Sequence, residues 1–248
     1  MSVRDREIAI EVRNLWKTYV LYHHIVTSFK EVVLHFPRLF KKLRQSRFEV
    51  LKDVSFEVRK GEVFGIMGHN GAGKSTLLAL IAGVIKPDRG TIKVKGRISP
   101  LLELGAGFHP ELTGRENIIL NGLLLGLTKR EIMQRFDKIV EFSELGHFIE
   151  EPIRIYSSGM VARLGFSVAV HTDPDILLVD EVLAVGDANF QQKCLRKMEE
   201  LRNNGVTMVF VSHSRAQMEA ICDRIMTIDH GRVVSIEEIN RHAEKKTC

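Results

Sequence analysis

Cysteine is scarce in this chain. The three present, Cys194, Cys222 and Cys248, include no CxxC pair, and their spacing suits neither a zinc site nor a disulfide framework. They read as reduced thiols of a cytosolic protein. Long hydrophobic runs are absent too. Nothing approaches the roughly 20 apolar residues that a membrane-spanning helix needs, and a stretch such as Gly122 to Leu127 is far too short. The start, MSVRDREIAI, lacks the apolar stretch of a secretory signal. Any link to a membrane is therefore expected through a partner or a surface segment. No internal repeat or low-complexity tract interrupts the sequence.

What remains is a globular composition. The 248 residues are 44% hydrophobic and 27% charged, enough for one sizeable core with a smaller subdomain attached, and unlike a disordered chain. The formal net charge of +5 favours anionic partners such as nucleotide, nucleic acid or an inner membrane leaflet, without choosing among them.

Residues 7–19 and 49–58 read as strands, the second with the apolar–polar alternation of a half-buried one. The short apolar runs 62–67, 176–180 and 206–211 read as buried strands, each followed by polar residues and then a helical pattern. That order implies an α/β core with a largely parallel sheet. Residues 115–142 and 158–171 have helical periodicity and form an inserted, mostly helical subdomain. Within 20–47, Ile25, Phe29, Val32, Val33 and Phe36 share one helical face; Pro37 then breaks the pattern before RLFKKLRQSR. This segment reads either as a basic amphipathic helix at a membrane or membrane partner, or as a helix packed on its own domain.

The strongest signal is Gly68-His69-Asn70-Gly71-Ala72-Gly73-Lys74-Ser75-Thr76, which matches GxxxxGK[ST] between an apolar strand and a helix. Glycines let consecutive backbone N–H groups turn inward onto phosphate oxygens, and the helix start adds its positive end. Lys74 is expected on the β- and γ-phosphates and the Ser75 hydroxyl on Mg²⁺. The run Ile176-Leu-Leu-Val-Asp180-Glu181 ends an apolar strand on two acids, an arrangement that calls for a cation. Asp180 is expected to hold Mg²⁺ and Glu181 to act as general base toward water. His213 closes a third strand, ahead of a helix capped by Ser214 with Gln217 three residues on. There it can meet the γ-phosphate and the attacking water.

Tyr156-Ser157-Ser158-Gly159-Met160 resembles the signature motif of ABC ATPases, usually written LSGGQ, and lies about twenty residues before ILLVD as that family requires. A serine hydroxyl and glycine N–H groups at a helix start also suit an anion on physical grounds. The resemblance implies a head-to-tail dimer in which this motif faces the γ-phosphate bound by the other subunit. It also implies a D-loop role for Asp187, a switch role for His213, and adenine stacking by Tyr19, with Phe48 as the rival. Departures are visible. Tyr156, Ser158 and Met160 replace Leu, Gly and Gln, and SPLLELGAGFHPELTGREN holds no glutamine where the family's Q-loop belongs. Leu104 falls near that position and Glu103 is the nearest polar residue. Either Glu103 substitutes, or the loop serves mainly to contact a channel.

These departures, together with DEVLAVGD and the insertion before VLKDVSF, resemble ATPase subunits of O-antigen and teichoic-acid exporters over about residues 7–235. That likeness implies one ABC ATPase domain over 1–248: a P-loop core with a parallel sheet, an N-terminal antiparallel β subdomain, and a helical subdomain over about 100–172. It implies ATP and Mg²⁺, a homodimer, and integral membrane permease subunits that handle a lipid-linked glycan. No nucleic acid is expected, and the location implied is peripheral, on the cytoplasmic face of a bacterial inner membrane. Rival readings are an ABC ATPase for another cargo, one acting on nucleic acid, and a P-loop kinase. The single ATPase unit without coiled coil or zinc insertion speaks against the second, and the signature motif with His213 against the third. Some O-antigen members carry a C-terminal carbohydrate-binding domain; a chain of 248 residues either belongs to a branch without one or is shortened.

Overall fold

The structure, a computed structural model, describes residues 7–20, 47–102, 104–180 and 186–239. The basic segment between Val20 and Arg47, with Glu103 and Glu181, lies outside the described residues, and so do the expectations placed on them.

Two long strands, β1 (Ile8–Val20) and β2 (Arg47–Arg59), pair antiparallel, with Leu15 opposite Val54 and Tyr19 opposite Phe48. After β3 (Val63–Met67) and helix α1 (Lys74–Ile81), strand β4 (Arg89–Val94) joins the other edge of β1. The result is a three-stranded antiparallel sheet, β2-β1-β4. The main sheet adds β5 (Ile98–Leu101), β6 (Ile176–Asp180), β7 (Thr207–Ser212), β8 (Arg224–Asp229) and β9 (Arg232–Glu238), in the order β5-β6-β7-β3-β8-β9. All its neighbours pair parallel except β8 with β9.

Period-two alternation sends the strand residues to two separate cores. From β6 and β7, Ile176, Leu178, Val209 and Val211 pack with α1 and the antiparallel sheet. Leu177, Val179, Met208 and Phe210 pack on the opposite face. That face is covered by α4 (Ser158–Val170), α5 (Ala188–Asn203) and the short α6 (Arg215–Ile221). At its edge a buried ion pair, Glu62 with Arg224 at 3.0 Å, joins the β2–β3 turn to β8.

A third core belongs to the helical region. Here α2 (Gly114–Leu124) and α3 (Lys129–Ser143) each start with a complete capping box, Thr113 with Glu116 and Thr128 with Glu131. The second box is why the periodic stretch 115–142 makes two helices. Helix α4 serves both regions: Leu164 and Val168 face the helical core, while Phe166, Ala169 and Val170 face the main sheet. The main sheet also claims Ile98–Leu101 as a strand, so the mostly helical part begins beyond the expected boundary near 100. Among the described residues, no helix is long and apolar enough to cross a membrane.

Candidate nucleotide site

Strand β3 ends at Met67 and the loop of residues 68–73 leads into α1, whose N-cap is Gly73 with φ 105°. A Cβ at Gly73 would sit 2.8 Å from Leu51 Cδ2 and 3.0 Å from the Val50 carbonyl oxygen, so both the backbone twist and the contact with β2 require glycine. Lys74 is buried, and its ammonium donates to the carbonyls of Gly68 at 2.8 Å and His69 at 3.0 Å. The lysine thereby holds its charge along the inner wall of the loop.

A cavity of about 300 Å³ opens over this loop, lined by Phe48, Val50, Asn70, Gly71, Gly73, Lys74, Ser75, Thr76 and Asp180. Asp180 arrives at the end of β6, carried there by parallel pairing with β7. Of the two aromatics expected for adenine, Phe48 lines this cavity and Tyr19 does not. Tyr19 lies under the Lys17 ammonium, 5.6 Å from its ring centre. Val50, not anticipated from sequence, joins the wall because β2 folds back over the loop. Gly68, His69 and Ala72 belong to the loop but not to the cavity lining.

The remaining expected residues lie elsewhere. Ser157 caps α4 by accepting from the Met160 N–H at 3.2 Å, with Ser158 exposed beside it and Gly159 in the first turn. The Tyr156 side chain points the other way, into the helical core, and its hydroxyl donates to the Phe148 carbonyl at 2.5 Å. Desolvation there pushes its phenol up to about 12. Asp187 caps α5, accepting from the N–H groups of Asn189 and Phe190 at 3.0 Å each. Those bonds, led by the one from Phe190 and joined by the Arg163 charge, hold its carboxyl below the ordinary value. His213 follows β7 with its side chain exposed. The expected cap at Ser214 does not form: its side chain bonds no helix N–H. The Ser212 hydroxyl instead accepts from the Ser214 N–H at 3.1 Å and donates to Gln217 Oε1 at 3.3 Å. Leu104 packs against the main-sheet core.

Can this cavity take a metal-bound triphosphate? Ser75 and Asp180 both line it, and a hydroxyl and a carboxylate are hard oxygen donors of the kind Mg²⁺ prefers. The glycine loop and Lys74 on the same lining complement phosphate.

A parallel sheet with a glycine loop, a lysine and a strand-end carboxylate at one edge defines a P-loop nucleotide-binding protein. A family profile described as ABC transporter matches residues 51–184, and the chain belongs to that family. An O-antigen export system ATP-binding protein of Klebsiella pneumoniae is 52% identical over 96% of this chain and 97% of its own length. A teichoic acids export ATP-binding protein of Bacillus cereus is 42% identical over 93% of this chain, which spans 41% of that protein. Among solved structures, a dimeric post-hydrolysis ATP-binding cassette bound to ADP and phosphate superposes with a TM-score of 0.72 at 22% identity. It covers 93% of this chain and 99% of its own. The ABC ATPase fold expected from sequence is the fold present.

Proposed function

We propose that this chain is the ATP-hydrolysing subunit of an exporter for a lipid-linked polysaccharide of the O-antigen or teichoic-acid type. The observation that carries the reading is the shared cavity: phosphate loop, Ser75, Asp180 and Phe48 line one space, in a chain whose full-length relatives are named as O-antigen export ATP-binding proteins. Phe48 offers its ring to adenine, the loop amides and Lys74 hold the phosphates, and Ser75 and Asp180 hold Mg²⁺. When bound, Mg²⁺ neutralises charge that builds on the phosphate oxygens during transfer. Glu181, directly after Asp180 in the chain, takes the proton of the attacking water, and His213 orients that water.

Ser157 to Met160 do not line the cavity of their own chain. Their place at the exposed start of α4 supports a second copy supplying them to the γ-phosphate, with two ATP molecules held between the pair. An adjoining concavity of about 370 Å³, which shares Ser75 and Asp180 with the nucleotide cavity, supports contact with a membrane permease at its apolar end. Its lining includes Leu102, Leu104, Leu125 and two strongly exposed apolar residues, Val84 at 70% and Leu124 at 66%. The permease carries the glycan, and this subunit works at the cytoplasmic face of the inner membrane.

The test is ATP turnover and nucleotide binding by the purified chain, followed by glycan transport by its complex in vesicles. Lys74→Ala is expected to lose Mg-ATP binding, and Glu181→Gln to bind ATP, accumulate as a dimer and stop turning over. Undiminished hydrolysis in Glu181→Gln removes that residue as base. A complex that hydrolyses ATP without moving polysaccharide rejects the cargo.

A further inference from the structure

The outer side of the phosphate loop carries a second cluster. His69 Nε2 lies 2.9 Å from Asp229 Oδ1, and His230 Nε2 lies 3.9 Å from the same oxygen. One ligand atom from each of the three residues falls within 4.8 Å of the other two. All three side chains are accessible to solvent.

The tautomer of His69 makes this contact unusual. Its Nδ1 lies 2.7 Å from the Asn70 carbonyl oxygen, which can only accept, so Nδ1 carries the hydrogen. In the neutral ring Nε2 is then a bare lone pair, and it faces a carboxylate oxygen. A metal ion held by the ring nitrogen and the carboxylate oxygen suits two such acceptors facing one another. A backbone carbonyl on the far ring nitrogen is also the support that metal-binding histidines use to fix orientation.

The frame around the cluster is rigid. Asp229 ends β8 and Arg232 begins β9, so His230 (φ 45°) and Gly231 (φ 77°) form a two-residue hairpin turn. A Cβ at Gly231 would lie 2.2 Å from the Val50 carbonyl oxygen, and one at Gly68 would lie 2.3 Å from the Ile228 carbonyl oxygen. Close backbone packing on both sides therefore sets His69 opposite the turn.

We propose that His69, Asp229 and His230 form a binding site for a divalent transition-metal ion of the zinc class, separate from the Mg²⁺ ligands. Two imidazoles and a carboxylate suit zinc and its neighbours, with water completing a four-coordinate shell. An ion there ties the start of the phosphate loop to the β8–β9 turn. The loop already accepts Lys74 at the His69 carbonyl, so metal occupancy bears directly on how firmly the lysine is held.

The experiment is equilibrium dialysis of the full chain against Zn²⁺ without nucleotide, repeated with Co²⁺ to read its ligand-field absorption. The wild type is expected to hold one ion per chain. Asp229→Asn and His230→Ala are each expected to weaken binding at least tenfold and to lose the Co²⁺ band, while His147→Ala, on the helical region, keeps both. Circular dichroism of each variant checks that the fold is kept. No stoichiometric binding by the wild type, or equal binding in Asp229→Asn and His230→Ala, overturns the site.

Discussion

Arg163 of α4 donates to Asp187 Oδ2 at 2.6 Å and thereby links the helical region to the N-cap of α5. The guanidinium also reaches Glu144 at 3.1 Å and lies over the Phe190 ring, 4.8 Å from its centre. Lys193 closes the group by donating to Glu144 at 2.9 Å. Four charged side chains from α4, α5 with its N-cap, and the C-cap of α3 thus form one run of ion pairs, with Arg163 over the Phe190 ring and Lys193 over that of Phe142.

Arg163→Ala should lower stability by about 1–2 kcal/mol, because it removes both the ion pair and the guanidinium packed on Phe190. Asp187→Asn should cost less, since asparagine caps a helix about as well as aspartate and only the charge is lost. Urea unfolding of both variants measures this. The carboxyl of Asp187 is depressed in the folded chain, so its stabilisation is present above the unfolded value and declines as pH falls through the folded one. Asp187→Asn should flatten that part of the acid profile.

Replacing Phe48 separates the two aromatics. Stacking of a base on an aromatic ring is worth about 1–3 kcal/mol. Phe48→Ala should therefore weaken ATP binding about tenfold or more, and Tyr19→Ala by less than about threefold. Fluorescent-nucleotide titration reads both. The reverse ranking would return adenine to Tyr19.

The Tyr156 phenol tests the helical core. Tyr156→Phe should cost about 1 kcal/mol for the lost bond to the Phe148 carbonyl. The folded chain holds this phenol protonated up to about 12, so its contribution is complete below the ordinary value of 10.0 and is lost as pH rises from there through about 12. Ultraviolet titration should show one late phenolate step that disappears in Tyr156→Phe.

Glu62 is fully buried and Arg224 nearly so. Glu62→Ala leaves the guanidinium without its carboxylate and strips an acceptor, at 2.7 Å, from the Arg59 N–H. A loss of about 3–5 kcal/mol is expected, read by chemical denaturation. Glu62→Gln keeps one acceptor oxygen but turns its NH2 toward the second donor, so it should recover only part of that loss.

How much was legible beforehand differed by element. Strands β1, β2, β3, β6 and β7 announced themselves by apolar runs or alternation. β8 did not, because its residues are buried on both faces and leave no period-two pattern, and β9 is a largely exposed edge. The break between α2 and α3 was written in the Thr128–Glu131 pair but hidden by continuous apolar spacing. Ser214 and Gln217 had the right spacing for a capping box, yet Ser212 took the glutamine. Side-chain competition two residues away decides such bonds, and spacing alone does not register it.

By itself the sequence determined what is local: the loop at 68–76, whose glycines and lysine act within a few residues of one another, and the apolar periodicities that commit each segment to strand or helix. Folding alone decided what depends on distant segments meeting. Phe48 overhangs the phosphate loop because β2 is pressed on Gly73; Arg163 finds Asp187 across two regions; His69 faces Asp229 because Gly68 lets β8 approach. None of these pairs leaves a mark in chain order, since each is set by backbone packing between elements dozens of residues apart, and only closed geometry brings their polar atoms within bonding distance.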